Sequence, residues 1–242
     1  MDDVPRCYAL VPCAGIGARA GTAAPKQYTP LAGRPVVAHT LAALAAVPRL
    51  EATLLVLAPD DTSFEALVPG YAGPRAWLAR CGGATRAESV ARGLVELRRR
   101  RARDGDWVLV HDAARCLLRP AWVERLIDAC LGDDVGGLLA LPLADTLKAT
   151  SGDRVAGPLD SGGERVATTL PRAGKWLAQT PQMFRLSLLE RALAHAGAAV
   201  TDESSAVECL GLAPRLVPGE IENLKLTWPA DFALAARLLE TR

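Results

Sequence analysis

Short apolar runs alternating with stretches of helical period fill the first 143 residues and leave few folds open. Residues 8–13 (YALVPC), 51–58 (EATLLVLA), 76–80 (AWLAR), 107–111 (WVLVH) and 136–143 (GGLLALPL) have the length and character of buried strands. Helical spacing lies between them. One segment covers 35–47, opened by Pro35 and stopped by Pro48; another runs from Arg86 into the arginines 98–101, a solvated helix end; a third covers 120–131. Thr85-Arg86-Ala87-Glu88 has the form of a capping box, and residues 59–62 (PDDT) form a turn and cap. Strands alternating with helices predict right-handed βαβ units. The fold class is therefore α/β, a mostly parallel sheet flanked by helices on both faces.

After residue 145 the rhythm breaks. Residues 145–180 are richer in Gly, Pro, Thr and charge and carry a hairpin-turn signal at Thr150-Ser151-Gly152-Asp153. They predict a two-stranded β-arm inserted in a single domain of residues 1–242. Such a hairpin is marginal unless it packs on something, and a second copy of the chain would supply that surface. The α/β pattern returns after residue 180, with helices at 187–195, 202–209 and 229–241.

Composition removes several function classes. Lys and Arg (28) balance Asp and Glu (27), so the chain lacks the basic excess of a general nucleic-acid binder. No apolar run reaches the roughly 20 residues that a membrane-spanning helix needs. The acidic pair Asp2-Asp3 stands where a signal peptide requires positive charge, and six scattered cysteines include no C-x-x-C, so a cytoplasmic location is expected. The three histidines lack metal-ligand spacing.

The segment Leu10-Val-Pro-Cys-Ala-Gly-Ile-Gly-Ala-Arg19, followed by Pro25-Lys26-Gln27, carries the most information. Backbone N–H groups in a small-residue turn after a strand converge on phosphate oxygens, and Arg19 and Lys26 add positive charge beside them. The turn nominally fits the dinucleotide pattern G-x-G-x-x-A, but the acid expected about 20 residues on is missing, and no Walker A motif is present. Residues 40–46 stand where that acid would be, which leaves two readings: a loop whose Arg and Lys grip a triphosphate, or a Gly-rich strand–helix connection with surface basic residues. Other polar clusters fall at strand or helix ends. Gly82-Gly83 precedes a capped helix bearing Ser89, and His111-Asp112-Ala113-Ala114-Arg115 ends a strand, where open parallel sheets bind ligands. Asp145-Thr146-Leu147-Lys148, Gln179-Thr180-Pro181-Gln182 and Thr201-Asp202-Glu203 combine hydroxyls with turn or cap residues. Asn223-Leu224-Lys225-Leu226-Thr227 places one of four lysines in what reads as a short strand.

In order and spacing, PCAGIGARAG, PKQY, GGATRAESV, VLVHDAAR, DTLK, QTPQMF, TDESSA and NLKLT together resemble the 2-C-methyl-D-erythritol 4-phosphate cytidylyltransferase family over residues 8–235. That resemblance implies a Rossmann-like nucleotidyltransferase fold, a β-arm that interlocks a homodimer, and dependence on a divalent metal, normally Mg²⁺. The implied reaction joins CTP to methylerythritol phosphate, giving a CDP-linked alcohol and pyrophosphate in the non-mevalonate isoprenoid route. It implies catalytic roles for Arg19, Lys26, Arg172 and Lys225. Ala14, Gly15, Gly17, Gly83, Ser89, Asp112 and Ala113 would hold the nucleotide, and Arg115, Thr146, Thr180 and Thr201 the alcohol phosphate. Thr146 and Arg172 would enter the other subunit's site, and the metal would sit on Asp112 or on the CTP phosphates. Ala84 and Cys13 depart from relatives that carry Asp and Ala there.

The chemistry suits these residues. A phosphate monoester is already an anionic nucleophile, so no Ser-His-Asp or Cys-His constellation is required. The work is to position two anions and neutralise their charge. Rival readings keep the nucleotide loop but change its use: a cytidylyltransferase for another polyol phosphate such as ribitol 5-phosphate, or a catalytically silent nucleotide-binding module.

Overall fold

The structure is a computed structural model that describes residues 4–15, 25–150, 165–197 and 200–241. In chain order the elements are β1 (Cys7–Pro12), a 3₁₀ turn (Lys26–Tyr28), β2 (Pro30–Leu31), β3 (Arg34–Pro35), α1 (Val36–Ala45), β4 (Leu50–Val56), α2 (Phe64–Leu67), β5 (Ala76–Ala79), α3 (Arg86–Arg99), β6 (Trp107–Val110) and α4 (Pro120–Cys130). There follow β7 (Gly136–Pro142), β8 (Leu147–Thr150), β9 (Val166–Leu170), β10 (Trp176–Arg185), α5 (Leu186–Ala196), α6 (Glu203–Glu208), β11 (Arg215–Pro218) and α7 (Pro229–Glu240).

A seven-stranded sheet has the order β11-β7-β10-β6-β1-β4-β5. All its pairings are parallel except those of β10, which runs antiparallel to both β6 and β7. Successive residues of a strand point to opposite faces, and β1 divides accordingly. Cys7, Ala9 and Val11 pack with α1 and α4, whereas Tyr8 and Leu10 pack with α3, α5 and α6. Both faces are thus covered, which is why β1 and β6 read as unbroken apolar runs and β4 as a mostly apolar one. A third cluster seats α7 against Val36, Leu117 and Leu226 and so ties the C-terminal segment to the loop after β6.

The predicted strands and helices of the first 143 residues appear within a few residues of their expected bounds. Three expectations need correction. Lys225 lies in a loop, not a strand; Leu226 N–H donates to the Ala114 carbonyl at 2.9 Å without forming a ladder. The predicted turn at 150–153 lies, beyond residue 150, outside the described residues; on the described side β8 pairs antiparallel with β9, Thr150 opposite Val166. The arm does not extend to residue 180, because β10 takes in Trp176–Arg185 and sits in the main sheet. Its Pro181, which lacks a ladder donor, falls in a register irregularity between Ala178 and Gln182. At the head of α3, Thr85 Oγ1 accepts from Glu88 N–H at 3.1 Å, but the Glu88 carboxylate reaches Ala84 N–H at 3.0 Å, so only half of the capping box forms. Among the described residues no helix is long and apolar enough to cross a membrane.

Candidate functional site

From β1 the chain crosses to β4 and β5 on one side, then returns to β6 on the other. At such a switch point the loops leaving the carboxyl ends of the two central strands diverge and open a crevice. A cleft of about 260 Å³ occupies it. Ala14 and Gly15 enter from β1, Gly83 from the β5–α3 connection and Ser89 from the first turn of α3, Asp112 and Ala113 from β6, and Lys26 and Lys225 from their own turns. These nucleotide and cationic candidates are separated by up to about two hundred positions in the chain and meet in one place. Gly17 and Arg19 lie outside the described residues.

The two glycines before α3 have steric reasons. A Cβ on Gly82 would lie 2.3 Å from the Ala14 Cβ, and one on Gly83 would lie 2.4 Å from the Glu88 Cβ. Glycine there lets the β5 connection close against the β1 loop. Ser89 lines the cleft, but its hydroxyl is already engaged: it accepts from Gly83 N–H and donates to the Thr85 carbonyl, both at 3.0 Å.

Asp112 is the electrostatic centre. Its Oδ1 accepts from Arg86 Nε at 2.9 Å, its Oδ2 pairs with Lys225 Nζ at 2.9 Å, and Arg115 Nε stands 3.7 Å away. Burial opposes ionisation, yet the Arg86, Lys225 and Arg115 charges outweigh it and hold the carboxyl well below its ordinary range. Arg86 is itself gripped on its far side by Glu203, at 2.6 and 3.0 Å. Burial opposes its charge, but Glu203 and Asp112 raise its affinity for the proton.

A second layer holds this layer still. Asp112 N–H donates to Thr180 Oγ1 at 3.1 Å, and Thr180 Oγ1 meets His111 Nδ1 at 3.0 Å. His111 Nε2 lies 3.2 Å from the Arg115 carbonyl, which can only accept. The proton therefore sits on Nε2, Nδ1 accepts, and Thr180 donates to it. Burial lowers the His111 pKa to about 4. Asn223 Nδ2 donates to the Thr180 carbonyl at 2.8 Å and fixes the start of the loop that bears Lys225. Lys26 Nζ donates to the Leu226 carbonyl at 3.0 Å, so both lysines share that loop.

The alcohol-phosphate candidates do not all reach the cleft. Thr180 is 4% exposed and serves as a brace beneath Asp112. Arg115 donates to the carbonyls of Asn223 (2.6 Å) and Ala178 (3.2 Å). Thr201 lines an adjoining hollow with Thr85, Arg86 and Glu203, and its N–H and hydroxyl both face Ser205 Oγ. Thr146 and Arg172 belong to the exposed arm region and do not line the cleft of their own chain; Arg172 donates to the Ala144 carbonyl.

A divalent ion fits poorly on Asp112. Both its oxygens already serve cations, and a metal would add positive charge beside three others. Among the described residues no group of three or more His, Cys, Asp or Glu could hold a metal ion.

Sequence pattern alone does not single out Arg86, which reads as part of a cap, or Glu203, which reads as a helix start. A signal for Arg86 was present. It is the first residue of α3, where the helix dipole disfavours a cation.

The family model for 2-C-methyl-D-erythritol 4-phosphate cytidylyltransferase matches residues 7–241. A bifunctional enzyme IspD/IspF of Albidiferax ferrireducens is 58% identical over the whole chain, which spans 54% of that relative's length. A 2-C-methyl-D-erythritol 4-phosphate cytidylyltransferase of Laribacter hongkongensis is 54% identical over 97% of this chain and 96% of its own. Among solved structures, a 4-diphosphocytidyl-2C-methyl-D-erythritol synthase superposes with a TM-score of 0.81 at 38% identity, covering 97% of this chain and 98% of its own.

Proposed function

This chain belongs to the 2-C-methyl-D-erythritol 4-phosphate cytidylyltransferase family, and we propose that the cleft between β1 and β6 is where it joins CTP to 2-C-methyl-D-erythritol 4-phosphate. The chain is a nucleotidyltransferase of isoprenoid precursor synthesis. An oxygen of the alcohol's phosphate attacks the α-phosphorus of CTP. A new P–O bond forms, the bond from the α-phosphorus to the β-phosphate bridge breaks, and pyrophosphate leaves with the electron pair. The products are 4-diphosphocytidyl-2-C-methyl-D-erythritol and pyrophosphate.

The observation that carries this reading is the meeting of the β1 loop with Lys26, Lys225 and Asp112 at the switch point. Amides of Ala14 and Gly15 receive phosphate oxygens, joined by Gly17. Lys26 and Arg19 meet charge developing on the α-phosphate and the departing group. Gly83 and Ser89 border the base, and Asp112 and Ala113 border the ribose. Lys225, with Arg115 behind it, aims the attacking phosphate, while Thr180 acts through Asp112 and Thr201 closes the adjoining hollow. The buried side chains required for proton abstraction are not needed, because the nucleophile is ionised at neutral pH. A divalent metal, normally Mg²⁺, would be held by the CTP phosphates and not by Asp112, and would supply positive charge against the departing pyrophosphate.

Residues 1–242 act as one catalytic unit with the arm as an insertion, in a cytoplasmic homodimer that engages neither nucleic acid nor membrane. Val166 and Leu177 are 61% and 53% exposed on and beside the arm, which supports a partner surface there. In that dimer Thr146 and Arg172 serve the partner's cleft. The test is pyrophosphate release from each nucleoside triphosphate paired with each of several polyol phosphates. CTP with methylerythritol phosphate is expected to turn over fastest. Preference for ribitol 5-phosphate would move the reading to the rival alcohol, and no pyrophosphate from any pair would end it.

A further inference from the structure

Residues 16–24 separate the β1 loop from the turn that carries Lys26 along the chain, but one side chain joins the two in space. Gln27 is 6% exposed, and its Nε2 donates to the Cys13 carbonyl at 3.2 Å and to the Gly15 carbonyl at 2.9 Å. A primary amide has two N–H donors, and both are spent on this loop. The flanking residues fix the turn from other directions: Lys26 Nζ donates to the Leu226 carbonyl at 3.0 Å, and the Tyr28 hydroxyl donates to Asp61. A trans peptide unit is planar, with N–H opposite C=O. A Cys13 carbonyl turned to Gln27 therefore sends the Ala14 N–H the other way. Ala14 and Gly15 line the cleft.

We propose that Gln27 is a positioning residue that sets the direction of the β1-loop amides toward the CTP phosphates and holds that loop in one frame with Lys26. This rests on the reading that the loop holds CTP. Gln27 itself borders the cleft, but its amide donors are spent on the Cys13 and Gly15 carbonyls, so it acts through the loop. It acts by removing the freedom of the Cys13–Ala14 peptide unit and by tying down the Gly15 carbonyl; the wrong orientation would point a carbonyl oxygen, and not the Ala14 N–H, at a polyanion.

Two substitutions test it, with circular dichroism to confirm folding. Gln27→Met keeps the side chain's length and removes both donors. Gln27→Glu places a carboxylate against two carbonyl oxygens and regains a donor on protonation, which burial shifts toward neutral pH. CTP affinity by calorimetry and kcat/KM for CTP are measured from pH 5.5 to 8.5, each as a ratio to wild type. Folded Gln27→Met is expected to bind CTP about tenfold or more weakly at every pH. Gln27→Glu is expected to be weaker still at pH 8.5 and to recover at least severalfold at pH 5.5. CTP binding within twofold of wild type in folded Gln27→Met overturns the proposal. So does a Gln27→Glu ratio that is flat with pH and equal to that of Gln27→Met, since shape and not hydrogen bonding would then be responsible. Wild-type protein that fails to bind CTP would instead remove the functional reading beneath it.

Discussion

Arg86 and Glu203 form a two-pronged ion pair, at 2.6 and 3.0 Å, in which the carboxylate side chain is 1% exposed. The pair joins the heads of α3 and α6, and through Arg86 it reaches Asp112 and then Lys225. Removing the anion leaves a half-buried cation with one partner fewer, a loss of about 3 kcal/mol. Urea denaturation of Glu203→Gln is expected to show a drop of that order, together with kcat/KM lowered about tenfold or more as Asp112 loses its orientation. Wild-type stability and turnover would mean that the ladder does not organise the site. Arg86→Lys should not rescue either quantity, because an ammonium cannot reproduce the planar fork.

Lys26→Ala is expected to lower kcat by about 10²-fold or more, as loss of other charge-directed donors does. Pyrophosphate release under saturating CTP and alcohol phosphate measures it. A folded variant that runs at full speed would take Lys26 out of the mechanism.

Arg172 and Lys26 belong to different stretches, and Arg172 does not line its own chain's cleft. In the proposed dimer they complete a site from two subunits. Mixing inactive Arg172→Ala protein with inactive Lys26→Ala protein should restore part of the activity, since one site in the mixed dimer regains both groups. Absence of any recovery, once subunit exchange is demonstrated, would remove the crossed site.

Stability should fall on mild acidification because of His111. Folding lowers its pKa to about 4 from an ordinary value of about 6.5. Between those values the unfolded chain carries the extra proton, so stability is full above about pH 6.5 and declines as pH drops toward about 4. The full loss is on the order of 3 kcal/mol. Asp112 adds its own loss only below about pH 4, since its carboxyl is held ionised in the folded protein. Urea midpoints at pH 7.5 and 5.0 read the effect, and His111→Asn, which keeps an acceptor for Thr180, should flatten it. An equal pH slope in that variant would assign the loss to other groups.

The strands that build the cleft were legible because parallel strands covered on both faces are apolar throughout. β10 was not, and for a physical reason. Its middle reads Gln179-Thr180-Pro181-Gln182, which looks like a turn, yet Gln179, Thr180 and Gln182 are each buried. Their polar atoms are satisfied by Asn223, His111 and Asp202, residues that no local pattern connects with them. Loop motifs disclosed the residues that face the cleft, such as Lys26, Asp112 and Lys225. The residues behind them stayed hidden. Gln27 and Glu203 meet carbonyls and a guanidinium that only the fold brings to them.

In the proposed site, Asp112 makes arrival of a substrate an exchange of counter-ions. Arg86 and Lys225 already share an internal anion, so an incoming phosphate competes with a carboxylate for cations that are not bare. Its net gain is the difference between two attractions. In the proposed reaction that difference would keep the charged CDP-linked product from being trapped, Lys225 being handed back to the aspartate as the product leaves.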